Sequence, residues 1–152
     1  LLSIFGQAAV SGCAIVTFFD KIGHPASVQG SSMFPTLEGS QASVLERDIV
    51  WLSTRHLDNP ELGDIYTFTF NCRSPRDSSK VLIKRITALE GNLVRRKPMG
   101  ELFIVPEGHC WMESDNEKNA HDSNKFGPVS YGLIHGRATH IIWPPHRWQK
   151  IK

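Results

Sequence analysis

The first nineteen residues carry no charge, and all 17 basic and 15 acidic residues of the chain come after Phe19. Thirteen of those nineteen are apolar. As a helix the segment would be about 28 Å long, close to the hydrocarbon thickness of a bilayer. Gly6, Gln7, Ser11 and Gly12 interrupt the apolar run. A buried core helix and the apolar part of a cleaved signal are the other readings. The length, and the lack of a clear A-x-A site before the domain, weigh against a cleaved signal. Residues 1–22 are therefore expected to form a transmembrane anchor, and residues 23–152 the domain it carries. The chain opens on Leu1, so a short leader is expected before it, whose charges would set orientation. Ala8 and Gly12 present a small-xxx-small face for packing on another membrane helix.

Beyond the anchor the pattern changes. The stretch Asp20 to Pro25 reads as a helix exit. Val28 to Leu37 reads as a strand end running into a serine-rich turn. Val44 to Ser53 is β-branched and aromatic, as strands are. Asp64 to Phe70 alternates with period 2, which predicts a strand with one wet face. Val81 to Leu89, Leu93 to Arg96, Glu101 to Val105 and Gly108 to Glu113 are further strands. Ser114 to Gly127 is a long polar loop, and such loops in compact domains are usually functional or disordered. Val129 to Leu133 and Gly136 to Trp143 close the domain before Pro144-Pro145. With 12 Gly and 9 Pro and no helical period after residue 25, the chain is mainly β, an antiparallel sheet.

Charge and composition remove several function classes. A net charge of +2 argues against a dedicated nucleic-acid binder. Three cysteines without a CxxC, and seven histidines without HExxH, give no basis for a zinc site, so neither metal nor cofactor is expected. The polar loop lacks the glycine and closing glutamate of a calcium-binding EF-hand. Arg95-Arg96-Lys97 reads as a solvated strand end.

Three features carry chemistry. In Gly30-Ser31-Ser32-Met33-Phe34-Pro35-Thr36-Leu37, serines end an apolar strand just before a turn. A tight turn there can expose a hydroxyl and aim backbone N–H groups at one point. By composition alone, an inert serine-rich turn is the commoner explanation. Lys84 lies in the apolar run VLIKRITAL. An exposed lysine is the commoner case, but desolvation lowers a lysine pKa, and a neutral amine can take a proton from a serine. The third feature is the loop Ser114 to Asn124, rich in hydrogen-bonding side chains and closed by Phe126-Gly127-Pro128-Val129.

In this order the three resemble the type I signal peptidases. The matching segments are Ser32-Met33-Phe34-Pro35-Thr36-Leu37, Gly63-Asp64-Ile65, Lys84-Arg85-Ile86 and Asp115 to Val129. The run Asp122 to Ser130 and the tail Ile141-Ile142-Trp143-Pro144-Pro145-His146-Arg147-Trp148 narrow the likeness to the mitochondrial inner membrane members of that family. The resemblance implies Ser32 as nucleophile and Lys84 as general base. It implies an oxyanion and substrate pocket at Gly30, Ser32 and Met33, with the Ser32 N–H as one donor. Gly30 replaces a serine whose hydroxyl is a second donor in many relatives. Arg85 and Asp115 match a supporting ion pair. Asp122 matches a second supporting carboxylate, whose usual arginine partner is Asn124 here. Ser114 and Asn92 also depart from the common pattern. Ala120 replaces a serine that orients the base, and Ser123 is a candidate to supply that hydroxyl.

The resemblance implies a signal-peptidase-like serine endopeptidase with one N-terminal transmembrane helix. It implies removal of sorting signals from precursors bound for the mitochondrial intermembrane space. It further implies residence in the inner membrane lipid bilayer with the catalytic domain facing that space, and a hetero-oligomer with a homologous subunit 1. The missing hydroxyls at Gly30 and Ala120 motivate an alternative, a weakly active or non-catalytic subunit that stabilises its partner. A self-cleaving repressor-type peptidase and a β-barrel binding module are the remaining alternatives.

Overall fold

The computed structural model describes residues 11–13, 16–19, 21–40, 43–55, 57–70 and 80–151. Residues 11–13, 16–19 and 21 have helical backbone; the rest of the expected anchor lies outside the described residues. No helix among the described residues is long and apolar enough to cross a membrane.

The strands are β1 (Gly23–Ser27), β2 (Ile49–Ser53), β3 (Ile65–Phe70), β4 (Lys80–Ala88), β5 (Leu93–Arg96), β6 (Glu101–Ile104), β7 (His109–Glu113), β8 (Val129–Ser130), β9 (Ile134–Trp143) and β10 (Gln149–Lys150). The main sheet runs β1-β2-β9-β3-β4-β7-β8, with β10 also paired to β9, while β5 and β6 form a separate hairpin. Every pairing is antiparallel, as expected for a mainly-β chain.

β3 departs from the one-wet-face expectation. Ile65, Tyr66, Thr67 and Phe68 are all buried, because β3 sits between β9 and β4 with apolar residues packed on both faces. Ile65 joins Val28, Met33, Leu37, Val50, Leu52, Ala138 and Ile141. Tyr66 and Phe68 join Ile86, Cys110, Met112, Val129 and Ile134. The polar atoms that this buries are satisfied: the Tyr66 hydroxyl accepts the Glu61 N–H at 3.1 Å, and the Thr67 hydroxyl donates to the Gly136 carbonyl at 3.2 Å.

Other boundaries also move. Of the stretch Asp20 to Pro25, read as a helix exit, Gly23 to Pro25 instead open an edge strand, Gly23–Ser27, on β2. Gly23 is required there: its φ is +142°, and a Cβ would sit 2.2 Å from the Leu52 carbonyl oxygen. Val44–Glu46 is a 3₁₀ turn, with the strand starting only at Ile49, because Ser43 turns the chain by accepting the Leu45 and Glu46 N–H groups. Tyr131–Leu133 is likewise 3₁₀, and β9 starts at Ile134. Pro144-Pro145 does not end the domain: a 3₁₀ turn at Pro145–Arg147 returns the chain to pair β10 with β9. The polar loop holds a 3₁₀ turn, Glu117–Asn119, and a short helix α1, Ser123–Phe126.

Candidate active site

The serine turn is anchored from below. Met33 and Leu37 are 1% and 0% exposed within the first core cluster. Burial of side chains of this size contributes about 1.5–3 kcal/mol each. The Leu37 N–H donates to the Met33 carbonyl at 2.8 Å, and the Phe34 N–H to the Ser31 carbonyl at 3.2 Å. Gly30 enters the turn at φ +81° and donates its N–H to the Gly39 carbonyl at 3.0 Å. Gly39, which the sequence reading passed over, packs so closely that a Cβ would lie 2.7 Å from the Gly30 oxygen.

β4 delivers the lysine. Lys84 stands opposite Tyr66 in the β3–β4 register and is 2% exposed. Its Nζ lies 2.7 Å from Ser32 Oγ and also donates to the Ile83 carbonyl at 2.9 Å. Ser32 and Lys84, 52 positions apart in sequence, are thus in direct hydrogen-bond contact.

Both residues line a cleft of about 570 Å³ whose walls come from β1, β2, β3 and β4. The sheet curls so that β1 and β4, separated in the order by β2, β9 and β3, face the same space. Ala26, Val28, Val50, Leu52 and Leu82 give an apolar lining, with His24 and His121 also on the wall. Met33, 1% exposed, packs in the same core cluster as Val28, Val50 and Leu52 of the cleft wall. Among the described residues β7 pairs with β4 only from Arg85 onward, so β7 does not cover the edge of β4 over Val81–Ile83 at this cleft.

The supporting ion pair is bidentate. Arg85 Nε and Nη2 donate to Asp115 Oδ1 and Oδ2 at 2.9 and 2.8 Å, and Nη1 donates to the Gly63 carbonyl at 2.6 Å. Burial pushes the Asp115 carboxyl up, but hydrogen bonds from Arg85 and Thr36 and the nearby positive charges outweigh it. The net effect holds it below the ordinary aspartate range. Hydrogen bonding to Asp115 raises Arg85 above its ordinary value, against the opposing effect of burial.

Asp122 is 2% exposed and caps α1: its Oδ1 accepts the Asn124 N–H at 3.1 Å, while Oδ2 accepts the Ser114 N–H at 3.0 Å. Asn124 stands in for the expected arginine, donating from Nδ2 to Asp122 Oδ1 at 3.1 Å and to Glu113 Oε1 at 2.8 Å. Ser123 is fully buried, and its hydroxyl accepts the Met112 N–H at 2.9 Å, fastening the loop to β7. Ala120 closes the 3₁₀ turn and presents no hydroxyl. The Ser114 hydroxyl is buried with no hydrogen-bond partner among the described residues.

Three supports were missed in the sequence. Asp48, 0% exposed, accepts Arg147 Nε at 2.9 Å, Arg147 Nη2 at 3.0 Å and the Glu38 N–H at 2.8 Å. Arg147 Nη2 also donates to the Thr36 carbonyl at 3.2 Å, so the tail braces the serine turn. A lone aspartate before an apolar strand was the available signal, but its partner lies 99 residues away. Arg96 is not simply solvated: it donates to the Asn124 and Lys125 carbonyls at 2.8 and 3.1 Å, while Lys97 pairs with Glu117 at 2.6 Å. Asn116 donates from its backbone N–H to the Ser32 carbonyl and from Nδ2 to the Ser31 carbonyl, both at 2.9 Å.

The described residues include no group of three or more His, Cys, Asp or Glu able to hold a metal ion. Cys110 is buried, which pushes its thiol up to about 12 and leaves it unreactive at neutral pH.

The family model described as signal peptidase, peptidase S26, matches residues 1–104 and 97–143. The chain is 45% identical over 142 residues to mouse mitochondrial inner membrane protease subunit 2, covering 90% of this chain and 77% of that one. It is 37% identical over 140 residues to subunit 2 of the same protease from Saccharomyces cerevisiae, covering 88% and 76%. Mouse subunit 1 is 35% identical over 145 residues, covering 91% and 81%. The chain belongs to the peptidase S26 family of signal peptidase-type proteases.

Proposed function

We propose that this chain is a serine endopeptidase that uses Ser32 and Lys84 as a catalytic dyad. The observation that carries the reading is the 2.7 Å contact between Lys84 Nζ and Ser32 Oγ, made by a lysine only 2% exposed. Burial penalises an ammonium and favours the neutral amine, the form with a lone pair to act as base. Ser32 Oγ attacks the carbonyl carbon of the scissile bond as its proton passes to Lys84. The carbonyl oxygen becomes an oxyanion facing the Ser32 N–H, which has no hydrogen-bond partner among the described residues. Collapse breaks the C–N bond, and the Lys84 proton leaves on the amine. Water, deprotonated by Lys84, then attacks the acyl-Ser32 ester; the acyl C–Oγ bond breaks, Lys84 returns the proton to Ser32 Oγ, and the acid leaves.

The cleft suits an extended peptide. The edge of β4 over Val81–Ile83, which β7 does not cover, offers main-chain hydrogen bonds, and the Ala26, Val28, Val50 and Leu52 lining suits small apolar side chains. The likeness to the inner membrane protease subunits supports work at the mitochondrial inner membrane, and we infer that the domain faces the intermembrane space. Residues 1–22 would be its anchor, precursors with sorting signals its substrates, and a homologous subunit 1 its partner.

The test is the base. Lys84→Met is expected to abolish cleavage, and Lys84→Arg is expected not to restore it, because a guanidinium stays protonated. Full turnover by folded Lys84→Arg overturns the dyad. Loss of both activity and partner stability only when the fold is lost favours the alternative, a stabilising subunit without chemistry.

A further inference from the structure

We infer that Asn116 is a positioning residue for the oxyanion site, aiming the Ser32 N–H into the cleft by clamping the two carbonyls on either side of it; this rests on the Ser32–Lys84 reading. In a trans peptide unit the C=O and N–H point in opposite directions. The Ser31–Ser32 bond is not among the cis peptides of the chain. The Ser31 carbonyl and the Ser32 N–H therefore share one plane and diverge. Asn116 Nδ2 holds that carbonyl at 2.9 Å, and the Phe34 N–H reinforces it at 3.2 Å. The next unit is fixed from the same residue: the Asn116 N–H holds the Ser32 carbonyl at 2.9 Å. With both units pinned, the Ser32 N–H has one direction left, away from the 115–118 loop.

That direction is toward the cleft. The serine turn separates two concavities. Ser32 lines the catalytic cleft together with Lys84, whereas Asn116 lines a second hollow behind the turn with Phe34, Pro35 and Asp115. The clamp is itself held in place. Asp115, the preceding residue, is fixed by its two bonds to Arg85, and Asn116 Oδ1 accepts the Lys118 N–H at 3.2 Å, which fixes the amide with Nδ2 toward Ser31. The clamp matters more here than in a site where a serine stands at position 30, since Gly30 brings no hydroxyl to assist the backbone N–H. Loss of a whole oxyanion donor slows kcat about 10²- to 10³-fold. Asn116 only aims the donor, so its loss is expected to slow kcat by about 10- to 100-fold.

The experiment compares Asn116→Ala and Asn116→Asp in the full chain reconstituted in lipid. Asn116→Asp keeps an acceptor for the Lys118 N–H and replaces the Nδ2 donor by a carboxylate oxygen that cannot hold the Ser31 carbonyl. The substrate probe is an internally quenched peptide with alanine before the scissile bond. The second probe is a peptide aldehyde ending in alaninal, whose C=O adds the Ser32 Oγ–H to give a tetrahedral hemiacetal at the oxyanion site. Both variants are expected to lose about 10- to 100-fold in kcat with KM within about twofold. Aldehyde affinity is expected to fall by the same factor as kcat/KM. Peptide binding measured on a Ser32→Ala background is expected to be unchanged by adding Asn116→Asp. Turnover within about threefold of the parent overturns the inference, as does a kcat loss without a matching loss of aldehyde affinity. If Asn116→Ala does not fold, Asn116→Asp decides; if neither folds, Asn116 is a structural residue and the inference fails. Ser32→Ala alone separates the two ideas. Surviving turnover there sinks the dyad, whereas a dead Ser32→Ala beside an unaffected Asn116→Asp sinks the positioning role only.

Discussion

Replacing Arg147 by alanine tests the buried brace between the tail and the serine turn. Asp48 is fully buried and holds three hydrogen bonds, two of them from Arg147. Removal of the guanidinium leaves a buried carboxylate with the Glu38 N–H as its one remaining partner among the described residues. Breaking a fully buried pair costs about 3–5 kcal/mol. The Arg147 side chain is 30% exposed, so water reaches the vacated space, and a loss of about 2–4 kcal/mol is expected. For a chain of this size that is a fall of roughly 6–15 °C in Tm. Thermal melting by circular dichroism measures it. The double variant Asp48→Asn with Arg147→Met removes both charges together and is expected to regain most of the loss. Because Arg147 also holds the Thr36 carbonyl, kcat in the surviving folded fraction is expected to fall with Tm. A Tm within about 2 °C of the parent, or a double variant that merely adds the single losses, refutes the reasoning.

Asp115→Ala is expected to lower Tm and turnover together, by about 1.5–3 kcal/mol in stability for the lost charge-assisted bonds. Asp115 is held below the ordinary aspartate range, so its contribution is fully present above the usual value of about 3.9. It is lost as pH falls further, so the Tm gap between parent and variant is expected to be constant above pH ~5 and to shrink toward pH ~3. Ser114→Ala removes a buried hydroxyl without a partner and is expected to leave stability unchanged or raise it by about 1 kcal/mol; a loss above that would reveal a partner. Ala120→Ser is expected to keep activity or raise it up to about tenfold, the worth of one hydrogen bond to the base. A folded but dead Ala120→Ser contradicts the register of this loop. Native alkylation with iodoacetamide at pH ~8, read by peptide mass spectrometry, is expected to spare Cys110, whose thiol burial pushes up to about 12.

The strands that proved easiest to read were those whose side chains decide their own surroundings. β4 through β7 lie within a residue or so of their expected spans, because alternation and turn glycines act locally. The failures share one cause, a partner distant in sequence. β3 looked half-wet because its alternation is genuine, yet Tyr66 and Thr67 are buried by strands and loops the local pattern does not encode. The edge strand at Gly23 exists only because β2 lies beside it. The same divide runs through the site. Ser32, Lys84, Arg85 and Asp115 stand in motifs of recognisable order, and the structure brings them into contact. Met33 is held in the core cluster beneath the turn, and the motif alone cannot say which way the turn faces. Arg147 and Asn116 act on the turn through backbone carbonyls, and a carbonyl accepts a hydrogen bond whatever side chain its residue carries. Nothing in the turn's own sequence therefore marks them.

The most direct measurement is cleavage of a precursor by Ser32→Ala in the full chain, assembled in its membrane, with Tm and assembly checked alongside. Loss of the nucleophile is expected to abolish turnover, by a factor of about 10⁴ or more, while fold and assembly stay at parent level. Turnover near the parent rate in that folded, assembled variant would contradict Ser32 as the group that attacks the peptide bond.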